Sequence, residues 1–310
     1  MEIVRKILKK LLKAKKILLI CHVDPDGDTT WSALALKKLL MQKRVQVKIV
    51  CADALPENVT VFKETKDISR KLPSNWKWDL VVAMEAGDKK RLGFSINVDI
   101  NIDHHFDNTR YANLNWIDAQ ASALGSMIYC ICKLGKFKIT KEIASLLYAA
   151  ICSDTGGFRF GNTKQQTFAD VYELVKKGAK PDQIYHLIYE NVSEIALKKL
   201  GQALCDLKVI EQGKIVYSVA NKVDNETGHG IIDVIRTVRG SEIAILFKEL
   251  DEKNIKVSLR SKNNFNVQEI AKIFGGGGHK KAAGCELPLS LNEAVEKVLT
   301  EIRKKLSVKK

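Results

Sequence analysis

The stretch Ile17-Leu-Leu-Ile-Cys21-His22-Val-Asp-Pro-Asp26-Gly-Asp28 decides how this chain is read. Five apolar residues in a row, closed by Pro25 and Gly27, have the texture of a buried strand ending in a turn. Directly behind that strand come one imidazole and three carboxylates. Acids this close repel one another unless a cation lies among them. A mixed His/carboxylate set suits borderline-to-hard divalent metals such as Mn, Mg or Zn. Ligands of open α/β sheets bind at the carboxyl ends of strands. The stretch therefore predicts an α/β fold with a metal site in a crevice at the strand ends.

Working outward, the first half of the chain alternates strand and helix. Strands are expected at Ile17–Cys21, Val45–Cys51, Asp79–Glu85 and Asn97–Asp103, and a helix at Thr29–Met41. Further helices are expected at Ser122–Lys133, Thr140–Cys152, Lys164–Lys177 and Pro181–Tyr189. Strands separated by helices predict a mostly parallel sheet covered on both faces. From about Ser193 the texture changes. Glu194–Ile210 reads as one long helix, followed by strands at Lys214–Ala220, Glu242–Phe247 and Ile255–Ser261. Helices near Ile231–Val238, at Val267–Phe274 and at Leu291–Lys305 complete a smaller mixed α/β domain. The expected boundaries are 1–190 for the first domain, 191–208 for a connecting helix and 209–310 for the second domain.

At 310 residues, 45% of them hydrophobic, the chain has enough apolar surface for two cores. It has no unbroken apolar stretch of about 18 residues, so no transmembrane helix and no membrane partner are expected. The N-terminal Met1–Lys16 lacks a signal-peptide core and reads as a first helix laying Ile3, Ile7, Leu8, Leu11 and Leu12 on the domain. Seven cysteines without a CxxC pair read as reduced thiols in a cytoplasmic protein, and they do not suit a zinc ribbon. The net charge of +15 favours polyanions, but the lysines are scattered, so charge alone establishes no nucleic-acid partner.

Three more groups join the first cluster. Glu85 ends the Val81–Met84 run, with Asp88 close behind; Asp103-His104-His105 ends another strand; Asp154 follows the apolar Leu146–Cys152 segment. Each alone is an ordinary turn or cap. Together, on one rim of a parallel sheet, they supply about what two metals roughly 3.5–4 Å apart require. In the second domain, Gly275-Gly-Gly-Gly-His-Lys-Lys-Ala-Ala-Gly284 offers backbone N–H groups to an anion, with His279 and Lys280 beside them. Arg260, at a strand end, carries a guanidinium suited to phosphate.

This set resembles the DHH phosphoesterase superfamily, in its branch with a C-terminal DHHA1 domain. His22-x-x-x-Asp26-x-Asp28 resembles its first motif, Asp103-His104-His105 the motif that names it, and Ser153–Phe158 its fourth. Val257-Ser-Leu-Arg260 and Gly275–Gly284 resemble the DHHA1 signature. Chain length resembles the stand-alone nanoRNase/pAp-phosphatase group.

The resemblance implies two Mn ions, with Mg or Co as substitutes, in a cleft between the domains. His22 and Asp26 would hold one metal; Asp28, His104 and Asp154 the other; the acid of the second motif, Glu85, would bridge them. A bridging hydroxide would attack phosphorus. His105 would contact the scissile phosphate, Asp103 would orient an imidazole, and Arg260, Gly276, Gly277, Gly278 and His279 would grip the substrate. The expected activity is hydrolysis of short RNA or DNA oligonucleotides and dinucleotides such as pApA to mononucleotides, extending to pAp, in a cytoplasmic homodimer.

Two positions depart from the family pattern. Glu85 stands where Asp is usual, and Asp88 is too far along to replace it. Trp31 stands where a small residue usually follows the first motif; it would either stack on a base or pack. The alternatives are a cyclic-dinucleotide (c-di-AMP) phosphodiesterase and a nucleotide-binding homologue weakened by Glu85. An inorganic pyrophosphatase does not account for the glycine loop, and a structural zinc site does not account for so many oxygen ligands.

Overall fold

The computed structural model describes residues 1–221 and 225–307, which divide into two compact units, Met1–Asn191 and Val192–Lys310. In the first unit the elements run α1 (Glu2–Lys13), β1 (Lys16–Cys21), α2 (Gly27–Met41), β2 (Gln46–Val50), β3 (Ile68–Ser69), β4 (Leu80–Met84), β5 (Ile100–Asp103) and β6 (Leu114–Ile117). Four helices follow: α3 (Leu124–Leu134), α4 (Lys141–Asp154), α5 (Gln165–Lys176) and α6 (Pro181–Tyr189). The strands form one six-stranded sheet in the order β3-β2-β1-β4-β5-β6, every neighbouring pair parallel.

That order creates the site. The chain steps outward from β1 to β2 and β3, then returns to place β4 on the other side of β1. The carboxyl ends of β1 and β4 thus flank the point where the strand order reverses, the place where open α/β sheets leave a crevice. His22 leaves β1 there and Glu85 leaves β4.

Both sheet faces are covered, but not alike. Ile17, Leu19 and Cys21 of β1 face the core shared with α1, α2, α3 and α4. Leu18 and Ile20 face a smaller cluster closed by Leu92 and Val98 and by the loop side chains Leu72, Trp76, Trp78 and Phe94. Helices therefore cover one face and aromatic loops the other. Two short strands, β3 and β6, are additional to the expected set.

Trp31 is fully buried in the helical core: its indole N–H donates to the Val59 carbonyl (3.0 Å) and its ring meets Phe62 edge-on at 5.5 Å. The base-stacking option is therefore overturned. Trp31 also explains Gly27, since a Cβ there would lie 2.5 Å from the indole and 2.9 Å from Ser153 Oγ.

The second unit contains α7 (Glu194–Cys205), β7 (Lys208–Ile210), β8 (Ile215–Asn221), α8 (Asn225–Ile235), β9 (Ile243–Asp251), β10 (Asn254–Ser261), α9 (Val267–Ile273), β11 (Gly277–His279), β12 (Ala282–Leu287) and α10 (Leu291–Ser307). Its sheet order is β11-β12-β10-β9-β8-β7, antiparallel except for β8 beside β9. The expected single helix Glu194–Ile210 is corrected. It stops at Cys205, and β7 then turns into β8 through Glu211, Gln212 and Gly213, all with positive φ. A hairpin turn of that hand needs such residues.

One face of this sheet carries Ile245, Phe247, Val257, Leu259, Ala283 and Cys285 into a core with α9 and α10. On the other face α7 and α8 cover β8 and β9 through Ala203, Ile231, Ile232, Ala244 and Leu246.

Trp31→Ala should cost about 3–5 kcal/mol of stability, the usual range for a buried Trp truncation. Urea unfolding of the metal-free protein checks this. A change confined to substrate KM, with unfolding unaltered, would contradict the packing role.

Candidate metal centre at the β1–β4 switch point

Each site residue is placed by a nearby backbone event. His22 is buried, and its Nδ1 lies 2.7 Å from the Val23 carbonyl, so Nδ1 carries the proton and Nε2 keeps its lone pair. That Nε2 points towards Asp26 Oδ1 at 3.8 Å. Arg91 Nη2 donates to the same carbonyl at 3.2 Å and stands beside the ring. Burial, helped by Arg91 against the Asp26 charge, holds the His22 pKa below its ordinary value. Asp26 caps α2, accepting from the Thr29 N–H at 3.0 Å.

Asp28 is completely buried in the first turn of α2. Its carboxylate accepts from Ser32 Oγ (3.2 Å), from the Leu124 N–H and from the Gly125 N–H (2.9 Å). It therefore caps α3, whose own N-cap residue is Ala123 and supplies no side chain. Glu85 follows β4 with φ 57°, is 2% exposed, and places Oε1 3.2 Å from His104 Nε2. Its Oε2 is buried without a hydrogen-bond partner. Asp88 is elsewhere engaged, accepting from the Lys90 N–H to cap the short turn Lys89–Leu92.

His104 follows β5 and points Nδ1 at the Ala121 carbonyl (3.4 Å), which turns Nε2 inward, towards Glu85 and towards Asp154 Oδ2 at 3.9 Å. His105 donates from Nδ1 to Asp103 Oδ1 at 2.7 Å, and Asn108 donates to the other oxygen. Burial would raise the Asp103 pKa, but the hydrogen bond and charge of His105 prevail and bring it down to about 2. Asp103 thus orients His105. Asp154 is the last residue of α4, a helix end rather than a strand end, and accepts from Asn162 Nδ2 at 3.0 Å.

Two sets of potential donors lie wholly within the first unit: Asp28, Glu85, His104 and Asp154, and His22, Asp26 and Glu85. Within each set, one ligand atom per residue lies within 4.8 Å of all the others. Glu85 belongs to both. The donor chemistry fits divalent metal: two imidazoles with Nε2 directed inward, and four carboxylates, one of which has an orphaned oxygen.

In the second unit, pairing sets Arg260 opposite Ala282 and Ala282 opposite His279, with Ser258, Gly284 and Gly277 in the next row. Opposed residues share a face, so these six line one strip, on the side away from Val257 and Leu259. It joins a guanidinium and an imidazole over a floor of small residues. The glycines divide their tasks: a Cβ on Gly276 would lie 2.1 Å from the Gly284 carbonyl, and one on Gly278 2.6 Å from the Ala282 carbonyl, whereas Gly277 faces open space.

The reading from sequence missed Asn108, Arg91 and Asn162. They surround the ligands without being ligand types, and they carry no motif spacing.

Comparison with known proteins follows this geometry. Residues 16–151 match the DHH family, N-terminal domain, and residues 187–307 the DHHA1 domain. A curated relative from Thermus thermophilus, named bifunctional oligoribonuclease and PAP phosphatase NrnA, is 31% identical over 97% of this chain and 94% of its own. This chain belongs to the DHH family. A Bacillus subtilis relative of the same name is 25% identical over 92% of this chain and 93% of its own. The crystal structure of an exopolyphosphatase-related protein from Bacteroides fragilis shares the fold, with a TM-score of 0.88 and 24% identity over 98% and 96% of the two chains. Among the described residues, no helix is long and apolar enough to cross a membrane.

The buried acids set a pH dependence. Burial, reinforced by Asp26 and Asp28, raises the Glu85 pKa well above its ordinary 4.5; burial, reinforced by Asp154, raises Asp28 well above 3.8. For His104 burial works downward, but Asp154 and Glu85 prevail and raise it well above 6.5. Each upward shift means that the folded state keeps a proton to higher pH than the unfolded chain does, so stability is lost as pH rises. His22 acts with the opposite sign, but only below 6.5. The metal-free protein should therefore melt at lower temperature as pH rises above 6.5, while the thermal shift produced by Mn grows, because ligands must shed protons to bind. Melting curves in EDTA and in Mn from pH 6.5 to 8.5 check this; a metal-free midpoint that rises over that range would contradict it.

Proposed function

We propose that this protein is a Mn-dependent phosphodiesterase that hydrolyses short oligonucleotides and dinucleotides such as pApA to mononucleotides, and pAp to AMP. The observation that carries the reading is Glu85, common to both donor sets. A carboxylate in that position would serve as a bridge. The curated relatives named oligoribonuclease and PAP phosphatase support the same chemistry.

In this reading His22 and Asp26 hold one metal, Asp28, His104 and Asp154 the other, and Glu85 both. Bound divalent metal supplies Lewis-acid activation of water and neutralises charge at the phosphoryl oxygens. The chain's own groups do the rest. Asp103, ionised and gripped by Asn108, fixes His105 with Nδ1–H inward, so Nε2 is presented to the scissile phosphate. Arg260 and His279 bind the substrate's further phosphate, and the small floor between them, open above Gly277, accepts a nucleotide. We place the enzyme in the cytoplasm, as a homodimer acting on RNA or DNA fragments.

A Mn-dependent time course with a phosphorylated RNA dinucleotide, a pentanucleotide, a 24-nucleotide RNA, pAp and c-di-AMP tests this. Fast mononucleotide release from the dinucleotide and slow loss of the long RNA are expected. No turnover of any substrate, with binding retained, would overturn the enzyme reading in favour of a binding protein. Preferential cleavage of c-di-AMP would replace the linear substrate by the cyclic one. Glu85→Gln should lower kcat by roughly 10²-fold or more, the scale of losing one charge-stabilising group at a reacting centre. Arg260→Ala should act mainly on KM; a loss confined to kcat would contradict its assignment.

A further inference from the structure

Asp28, His104 and Asp154 come from three separate segments, yet all three lean on one five-residue stretch, Ala121–Gly125. The Ala121 carbonyl accepts from His104 Nδ1. The Leu124 and Gly125 N–H groups donate to Asp28. The Ser122 carbonyl accepts from Asn162 Nδ2 at 2.9 Å, and the same nitrogen reaches Asp154 Oδ2 at 3.0 Å and the Asp154 carbonyl at 3.1 Å. Three acceptors around one atom require it to be the amide nitrogen, because the reversed amide would press its oxygen against a carboxylate. Asn162 Oδ1 is left buried without a partner, so the amide is held by its donor side.

We propose that the Ala121–Gly125 backbone, extended by the Asn162 side chain, is the positioning element of the Asp28/His104/Asp154 half of the site, and that Asn162 sets the affinity of one of the two metal equivalents. The assignment rests on the two-metal reading above. Asn162 acts through Asp154. It turns one carboxylate oxygen towards its own amide, which fixes the direction in which the other lone pairs point. Its anchorage on Ser122 ties Asp154 to the loop that also holds His104 and Asp28. Groups that orient metal ligands in this way change metal affinity by about 10–100-fold when removed. His22 and Asp26 have no hydrogen bond to this loop among those described, so the other metal equivalent should not respond.

The test is calorimetric titration of Mn alone into the parent protein, Asn162→Ala and Asn162→Ser, with melting in EDTA and steady-state kinetics on a dinucleotide. Asn162→Ala should weaken one equivalent about 10–100-fold, leave the other unchanged, and raise the Mn needed for half-maximal turnover by the same factor. At saturating Mn the dinucleotide KM should equal that of the parent. Asn162→Ser, which keeps a donor on a shorter side chain, should fall between, and it decides the matter if the Ala variant does not fold. Two equivalents bound as tightly as in the parent would overturn the assignment. So would equal weakening of both together with a lower EDTA melt, the mark of a merely structural role. If the parent itself binds fewer than two equivalents, it is the two-metal reading that falls, and the assignment falls with it.

Discussion

Everything in the first unit answers to one electrostatic constraint: carboxylates buried at the point where β1 and β4 part. Asp28 is wholly buried, Glu85 nearly so, and both meet Asp154 around a single imidazole. Negative groups out of water cannot all ionise together without a countercharge. The protein supplies part of it through amide N–H groups: the amino end of α3 faces Asp28, and the side-chain amide of Asn162 faces Asp154. That partial compensation holds the acids in place and leaves charge still to be balanced. The orphaned Glu85 Oε2 marks what is left for a cation to satisfy.

The same economy shows in the imidazoles. His22 and His104 each spend Nδ1 on a main-chain carbonyl, so backbone geometry selects the tautomer that leaves Nε2 for a ligand. His105 instead spends Nδ1 on Asp103, a carboxylate kept ionised, and so faces outward with a different task. In the second unit shape dominates the strip beside the glycine loop. Glycine at 276 and 278 lets β11 close on β12, and the adjoining strip of Gly277, Ala282 and Gly284 keeps a low floor between Arg260 and His279.

Much of this was legible in the sequence, for identifiable reasons. Buried parallel strands read as unbroken apolar runs, so β1 and β4 were plain, and the ligands stand directly behind them. The signal failed where elements are short or turns are unusual. β6 is four residues broken by Asn115, and β3 is two residues. The α7–β7 break was hidden because Leu207 and Ile210 continue a helical spacing, while the decisive turn uses left-handed Glu211 and Gln212. Trp31 could not be placed from its position beside the motif; only the packing of Val59 and Phe62 around it fixes its role. The loop Ala121–Gly125, on which Asp28 and His104 lean, was invisible because its contacts run through carbonyls and N–H groups, which every residue has.

The central claim is that Glu85 joins two metal positions into one site. Electron paramagnetic resonance of the protein loaded stepwise with Mn tests it most directly. A carboxylate shared between two ions predicts a spin-coupled spectrum once the second equivalent is added, and loss of that coupling in Glu85→Gln. Two equivalents that give only additive, uncoupled signals in the parent protein would contradict the claim.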